Sequence, residues 1–411
     1  MRIAVISPFL DRSHGTERCA VEQLERFHLN AETQIHVYAQ RIKDLRNVVR
    51  YKSGTPQSGQ LLWHKVPAIP GPHLFQFIFW FFANRIFRWF NAHFRHVQPD
   101  VTLSHGINAV DVDAAVVHIV FTEFYRLVRP QLSFRRTPLS AWPRLLHRRL
   151  YYRLIMALEK RVYGRPDIFL AAVSGMVGTQ LKHHFNARNI QVVRYGVDAQ
   201  SLSVARRLAR RDSARQQFGL APADFVLLLI GNDWKKKGLD ALLNAVAQIR
   251  ELPWKLLVVG TDTRAPYDVL IRNNQIVDRV VFLPPSPDVL QFYAATDAYV
   301  GPSLEDAYAL PILEAMAGGL PVIASASAGA SEIIVDGTNG IILRDPHDAQ
   351  ELSVALRSLI NDPALCLRLG AQAAITAQQQ TWGANAEAAW QWLSRVQQAK
   401  KSPRHSESAS Q

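Results

Sequence analysis

Two acids and a helix start are packed into the stretch Gly301 to Ser325, GPSLEDAYALPILEAMAGGLPVIAS. Ala298 to Val300 predicts a strand, Ser303 to Asp306 a polar corner, and the residues from Pro311 a helix that runs into a second strand, Leu320 to Ala324. Proline suits the first helical position, where a missing N–H costs nothing. The N–H groups of Ala309, Leu310 and Ile312, next to Tyr308, are then expected at an open helix N-terminus backed by the positive end of its dipole. Such an end holds a phosphate. Glu314 is expected in the first turn of that helix and Asp306 in the loop before it, with Glu305 as the alternative to Asp306. Acids beside an anion site suit a nucleotide sugar, because amides take the diphosphate while carboxylates accept from sugar and ribose hydroxyls.

A second set of residues supplies positive charge. The predicted strand Phe225 to Ile230 runs into Gly231-Asn232-Asp233-Trp234-Lys235-Lys236-Lys237-Gly238. Fixed cations there stabilise the charge that builds on a departing diphosphate. In the first half, His118 ends the predicted strand Asp113 to His118, at the edge where open α/β sheets bind ligands. A histidine so placed donates to an anionic oxygen or positions a hydroxyl that attacks. His105, after the strand Val101 to Ser104, is the reserve. Either Asp111 or Asp113 supplies a carboxylate on the acceptor side. Gly15 and Thr16 lie in the loop Pro8 to Arg18, ahead of a helix expected near Cys19, where a glycine lets backbone approach a ligand.

Pro302-Ser303-x-x-Asp306, followed after seven residues by Glu314-Ala315-x-Ala317-x-Gly319-x-Pro321-Val322, resembles the signature of the retaining family-4 glycosyltransferases of the GT-B fold. The Lys236-Lys237-Gly238 run is similar to that of a lipopolysaccharide core glucosyltransferase branch. Val116-Val117-His118 resembles the family's site histidine, and Gly15-Thr16-Glu17-Arg18 its first glycine loop. Asp306 stands where Glu is usual, Tyr308-Ala309 where Phe-Gly is common, Tyr195 in place of Asn, and Asn232 in place of Arg. The resemblance implies two Rossmann-like doubly wound domains facing a central cleft, and a hexosyltransferase-like enzyme. It implies retaining transfer without a metal or other cofactor. His118 and Asp306 would be catalytic; Gly15, Thr16, Lys236, Lys237, Tyr308, Ala309, Leu310 and Glu314 would hold the donor; His105 and Asp111 would face the acceptor. The other readings are a nucleotide-sugar epimerase on the same fold and a non-catalytic adaptor that kept it.

Those residues need a scaffold. The 411 residues exceed one ordinary core, and strands alternate with helical patterns, so α/β domains with parallel sheets are expected. The expected division is an acceptor domain over 1–198, a nucleotide-sugar domain over 199–378, a helix over 379–398 that returns to the first domain, and a disordered tail over 399–411. Ser174 is expected to cap the helix that follows it. With 47 basic and 34 acidic residues the net charge is +13, which calls for an anionic partner. No zinc-finger spacing, RNA-binding aromatic signature or Lys-rich block points to nucleic acid. An anionic membrane surface fits better. The segment 74–97, LFQFIFWFFANRIFRWFNAHFRHV, is too short in its apolar run to cross a bilayer, but interleaves aromatics with arginines as interfacial helices do. The segment 144–161 repeats that basic character. The expected partners are a nucleotide sugar, a glycolipid or polysaccharide acceptor of cell-surface glycan synthesis, and the membrane. Two cysteines and no apolar leader before Ile3 imply a cytoplasmic protein, peripheral on the inner face of the membrane.

Overall fold

In the computed structural model, the described residues are 1–12, 15–27, 29, 33–51, 60–132, 134 and 138–401. The chain divides into two units, one of Met1–Val193 with Asn385–Gln411 and one of Arg194–Ala384. Of the expected tail, 402–411 lies outside the described residues, as does His14 of the first loop.

The first unit contains β1 (Arg2–Ile6), β2 (Phe9–Leu10), α1 (Gly15–Phe27), β3 (Gln34–Ala39), β4 (Arg41–Ile42), β5 (Val48–Arg50), β6 (Leu61–Lys65) and α2 (His73–Phe94). It continues with β7 (Val101–His105), β8 (Ala114–Val117), α3 (Phe121–Val128), α4 (Trp142–Tyr163), β9 (Phe169–Ala172), α5 (Gly175–Phe185) and β10 (Asn189–Val192). Eight of these strands form a parallel sheet in the order β10-β9-β8-β7-β1-β3-β6-β5. The runs IAVI and AAVV are wholly buried, as strands covered on both faces must be. Ser174 caps α5 as expected, its Oγ accepting from Val177 N–H at 3.2 Å.

The second unit contains α6 (Val204–Ala209), α7 (Arg211–Gln217), β11 (Phe225–Ile230), α8 (Leu239–Ala247), β12 (Trp254–Val259), α9 (Asp268–Asn273), β13 (Val280–Leu283), α10 (Leu290–Ala295) and β14 (Ala298–Gly301). After these come α11 (Leu310–Ala317), β15 (Val322–Ser325), β16 (Ile341–Leu343), α12 (Ala349–Asn361), α13 (Pro363–Gln379) and α14 (Trp382–Lys401). Its sheet is parallel in the order β13-β12-β11-β14-β15-β16. That is the order of a dinucleotide-binding Rossmann sheet, and it reverses between β11 and β14. The core packs Leu227, Leu229, Val258 and Ile323 of the sheet against Leu242, Val246, Leu356 and Leu359 of the helices. Each such side chain, fully removed from water, contributes roughly 1.5–3 kcal/mol.

The final helix starts at Trp382, after Thr381 Oγ1 accepts from Ala384 N–H at 3.1 Å, rather than at 379. From Asn385 onward it belongs to the first unit, where Asn385 accepts from Gln23 at 3.1 Å and Lys400 Nζ donates to Asp113 at 2.8 Å.

Candidate functional site

The sheet order of the second unit decides where its chemistry gathers. All strands are parallel, so the loops after β11 and β14 leave the same edge on the two sides of the switch point, the usual ligand crevice of such sheets. The first loop is 231–238 and the second 302–309. Gly238 adopts φ +79°, and a Cβ there would stand 2.0 Å from the Pro302 carbonyl oxygen, so only glycine lets the two loops approach. Leu304 N–H donates to the Lys236 carbonyl at 2.8 Å, which fixes them together.

The loops meet through charge. Lys237 Nζ is paired with Asp306 Oδ2, and Lys236 Nζ lies 3.4 Å from Glu305 Oε2. Asp306 also accepts from the N–H groups of Tyr308 at 3.2 Å and Ala309 at 2.8 Å. Burial by itself pushes the Asp306 carboxyl up, but the charge and hydrogen bond of Lys237, with Lys236 and the Tyr308 amide, hold it below the usual carboxylate range. Asp306 rather than Glu305 therefore holds the loop amides that lead into the helix.

This geometry corrects part of the expectation for α11. The helix begins at Leu310, with Pro311 at its second position, because Ala309 takes a left-handed conformation at φ +63° and acts as the cap. Ala309 N–H is taken by Asp306, and Ile312 N–H donates to the Ala309 carbonyl at 3.0 Å. Neither amide is open, whereas Leu310 N–H has no partner among the described residues. Glu314 lies past the first turn; it is buried and accepts from the Tyr293 hydroxyl at 2.8 Å. A chain spacing alone does not show that α10 delivers a tyrosine to this carboxylate.

Tyr308 and Ala309 serve the loop in different ways. The Tyr308 hydroxyl donates to the Tyr195 carbonyl at 3.0 Å, with the two rings 4.8 Å apart. The two tyrosines that depart from the family pattern are thus in direct contact. Asn232, standing where the family has Arg, accepts from Thr261 N–H at 3.1 Å and its hydroxyl at 2.9 Å, tying the lysine loop to the end of β12.

In the first unit the sheet order reverses around β1, between β3 and β7. His105 ends β7 and His118 directly follows β8, so both lie at the carboxyl edge. His105 Nδ1 and His118 Nε2 are 3.3 Å apart, and both rings are buried. Burial lowers His105 to about 4. Burial and then the neighbouring His105 push His118 well below the usual imidazole range. A neutral pair at neutral pH can relay or accept a proton but carries no fixed positive charge. Glu159 anchors this loop, accepting from the N–H groups of Phe121 at 2.6 Å and Thr122 at 2.8 Å, a positioning role with no signal in the sequence. Gly15 and Thr16 open α1, which starts four residues before the expected Cys19 and at the same edge.

The expectation for Asp111 fails. The crossover 106–113 carries the chain back to the amino end of β8, where Asp111 binds Arg88 at 2.6 Å and Asp113 accepts from Thr102 N–H at 2.8 Å. Five extended residues, about 17 Å, separate Asp113 from His118. Neither acid serves the histidine edge. Among the described residues no group of three or more His, Cys, Asp or Glu is arranged to hold a metal ion.

Residues 210–376 match the family model described as glycosyl transferases group 1. D-inositol 3-phosphate glycosyltransferase of Pseudarthrobacter chlorophenolicus is 30% identical over 228 residues, 53% of this chain and 53% of that protein. The chain thus spans about half the length of the curated relatives it matches. WaaG, a glycosyltransferase involved in lipopolysaccharide biosynthesis, superposes with a TM-score of 0.71 at 19% identity, over 94% of this chain and 98% of that one. Anabaena HepE, solved in complex with UDP and glucose, gives 0.68 at 18% identity, over 96% and 100%. These structures establish the fold as GT-B, built of two Rossmann-like parallel-sheet domains.

Proposed function

We propose that the chain is a retaining glycosyltransferase that moves a sugar from a nucleotide donor to a hydroxyl of a lipid-linked or polysaccharide acceptor in cell-envelope glycan synthesis. The observation that carries this reading is the meeting of Lys236, Lys237, Asp306 and the open Leu310 amide across the switch point of the second unit. The lysines are neutralised by Glu305 and Asp306. An arriving diphosphate takes the donors that each ammonium, with three in all, has not given to its carboxylate, and the Leu310 N–H. Charge that develops on the leaving diphosphate is then met by groups already in place. Asp306 is left to accept from a sugar hydroxyl, and Glu314 fixes the helix beneath through Tyr293. The complex of HepE with UDP and glucose, and the match to the glycosyl transferases group 1 model, support such a donor.

On the acceptor side, neutral His118 with His105 behind it receives or orients the attacking hydroxyl, and Gly15 and Thr16 bring α1 to that edge. The relatives named for D-inositol 3-phosphate suggest a phosphorylated polyol as a second acceptor class. The lipid-linked reading is favoured by α2, which exposes Phe75, Ile78, Phe82, Ile86, Trp89, Phe90 and Phe94 while Trp80 and Ala83 are buried together with Asn84 and Asn91. An ordinary surface helix turns its large apolar side chains inward instead. Leu74 N–H donates to His147 of α4 at 3.3 Å and Phe77 meets the Tyr151 ring at 5.8 Å, so segments 74–97 and 144–161 lie side by side. No helix among the described residues is long and apolar enough to cross a membrane. We place the protein on the inner face of the cytoplasmic membrane, held by this basic aromatic surface.

The reading is tested by mixing the protein with nucleotide sugars of different bases, with and without a glycolipid extract or inositol phosphate. Acceptor-dependent release of nucleoside diphosphate is expected. Release of none with any donor would leave the adaptor, and a changed sugar still attached to its nucleotide would indicate the epimerase.

A further inference from the structure

The first unit also holds a cavity that the donor and histidine sites do not use. It has a volume of about 420 Å³ and lies between the outer strands β5 and β6 and the carboxyl half of α2. Its lining sorts by chemistry. Arg50, Lys65 and Arg95 supply positive charge, Ile86, Phe87 and Phe90 an apolar wall, and Tyr51, His64 and Asn91 the remainder.

Among the described residues not one acid lines it, and no carboxylate pairs with any of the three cations. Arg95 is held between two rings, its guanidinium 5.6 Å from the Tyr51 centroid and 5.7 Å from that of Phe90. Rings on both sides restrict the guanidinium by stacking on its faces, which takes none of its N–H donors. The polar floor is internally satisfied: His64 Nε2 lies 2.9 Å from His36 Nδ1, and His64 Nδ1 lies 3.0 Å from Asn91 Nδ2. Burial, then His36 and Arg95, lower His64 to about 3, so the floor is neutral and the positive charge belongs to the rim.

The apolar wall does not stop at the cavity. Phe82, Ile86, Phe90 and Phe94 recur at every fourth residue and are all exposed. On a helix they form one row roughly 18 Å long. A free anion would use the cations and leave this row in water; a neutral apolar molecule would use the row and leave the cations unpaired.

We propose that this cavity binds a phosphate-bearing amphiphile, its phosphate between Arg95, Lys65 and Arg50 and its hydrocarbon chain along Phe90, Ile86 and Phe82. The site lies wholly within the first unit and stands independently of the transfer reaction.

The test is calorimetric titration of the full chain with monomeric decyl phosphate, inorganic phosphate and decyl maltoside. Decyl phosphate is expected to bind roughly tenfold or more tightly than either of the others, since it alone meets both halves of the site. Lys65→Gln and Arg95→Gln should each weaken it about tenfold, and Phe90→Ser comparably, with melting temperatures close to that of the parent. Phe75→Ser, on the same helix beyond the cavity, should leave it unchanged. Equal binding of inorganic phosphate or decyl maltoside overturns the proposal. Undiminished binding by folded Arg95→Gln, or a loss with Phe75→Ser as large as that with Phe90→Ser, overturns it as well.

Discussion

Lys237 and Asp306 are 69 residues apart in the chain and form one ion pair at the switch point of the second sheet. The same carboxylate accepts the amides of Tyr308 and Ala309, so one acid joins the lysine loop to the start of α11. Removing the cation leaves a buried carboxylate uncompensated. Lys237→Met should therefore destabilise the protein by about 3 kcal/mol and abolish the thermal shift produced by a nucleoside diphosphate. With Asp306→Asn in a double-mutant cycle, a coupling above about 1 kcal/mol is expected. Additive losses would show that the pair carries no such coupling.

The same pair sets an acid limit. Asp306 titrates below its ordinary 3.8 in the folded protein, so its stabilisation is fully present above that pH. It is lost as pH falls further, through the folded value. The stability gap between the parent and Asp306→Asn should be flat at pH 5 and above and should close below about pH 4. A gap that widens on acidification would contradict this sign.

The histidines act at higher pH. His105 at about 4 and His118, lower than its usual value, bind fewer protons folded than unfolded. Between the unfolded value near 6.5 and about 4, acidification favours the unfolded chain, and His105 alone accounts for about 3 kcal/mol over that span. Hydrogen exchange should show first-unit amides near β7 and β8 losing protection from pH 6.5 downward. His105→Asn should flatten the dependence; an unaltered slope would assign it elsewhere.

Ala309 occupies φ +63°, a region that costs an L-residue about 1–2 kcal/mol and glycine almost nothing. Part of that gain is returned through the freer unfolded chain. Ala309→Gly should raise stability in urea by about 0.5–1 kcal/mol. A loss would mean that the Cβ has a packing role that outweighs the strain.

Tyr308→Phe removes one hydroxyl from a buried contact and leaves the Tyr195 carbonyl without that donor. A cost of about 1–2 kcal/mol is expected. Equal unfolding midpoints for the two proteins would show that the bond contributes nothing net.

Phe82 and Trp89 are more than half exposed, so replacing both with Ser should leave the melting temperature nearly unchanged. Sedimentation with anionic vesicles should fall severalfold, since the buried apolar area that holds an interfacial helix is lost. Undiminished sedimentation would remove α2 from the membrane contact.

Periodicity and residue type by themselves determined a great deal here. Short apolar runs alternating with helical patterns specify parallel α/β units, because the crossover helices cover such strands on both faces, and Asp306 ahead of Pro311 announces an acid beside a helix start. The donor loops were legible because each lies whole within a few residues. What only the tertiary structure decided is which groups meet. Asp111 and His118 are seven residues apart, yet a short crossover sends them to opposite ends of β8. Tyr293 and Glu314, or Lys237 and Asp306, are far apart in the chain and touch because parallel strands deliver their loops to one edge. Side-chain chemistry is local, but the direction in which a strand leaves the sheet is set by its neighbours, and no spacing along the chain contains it.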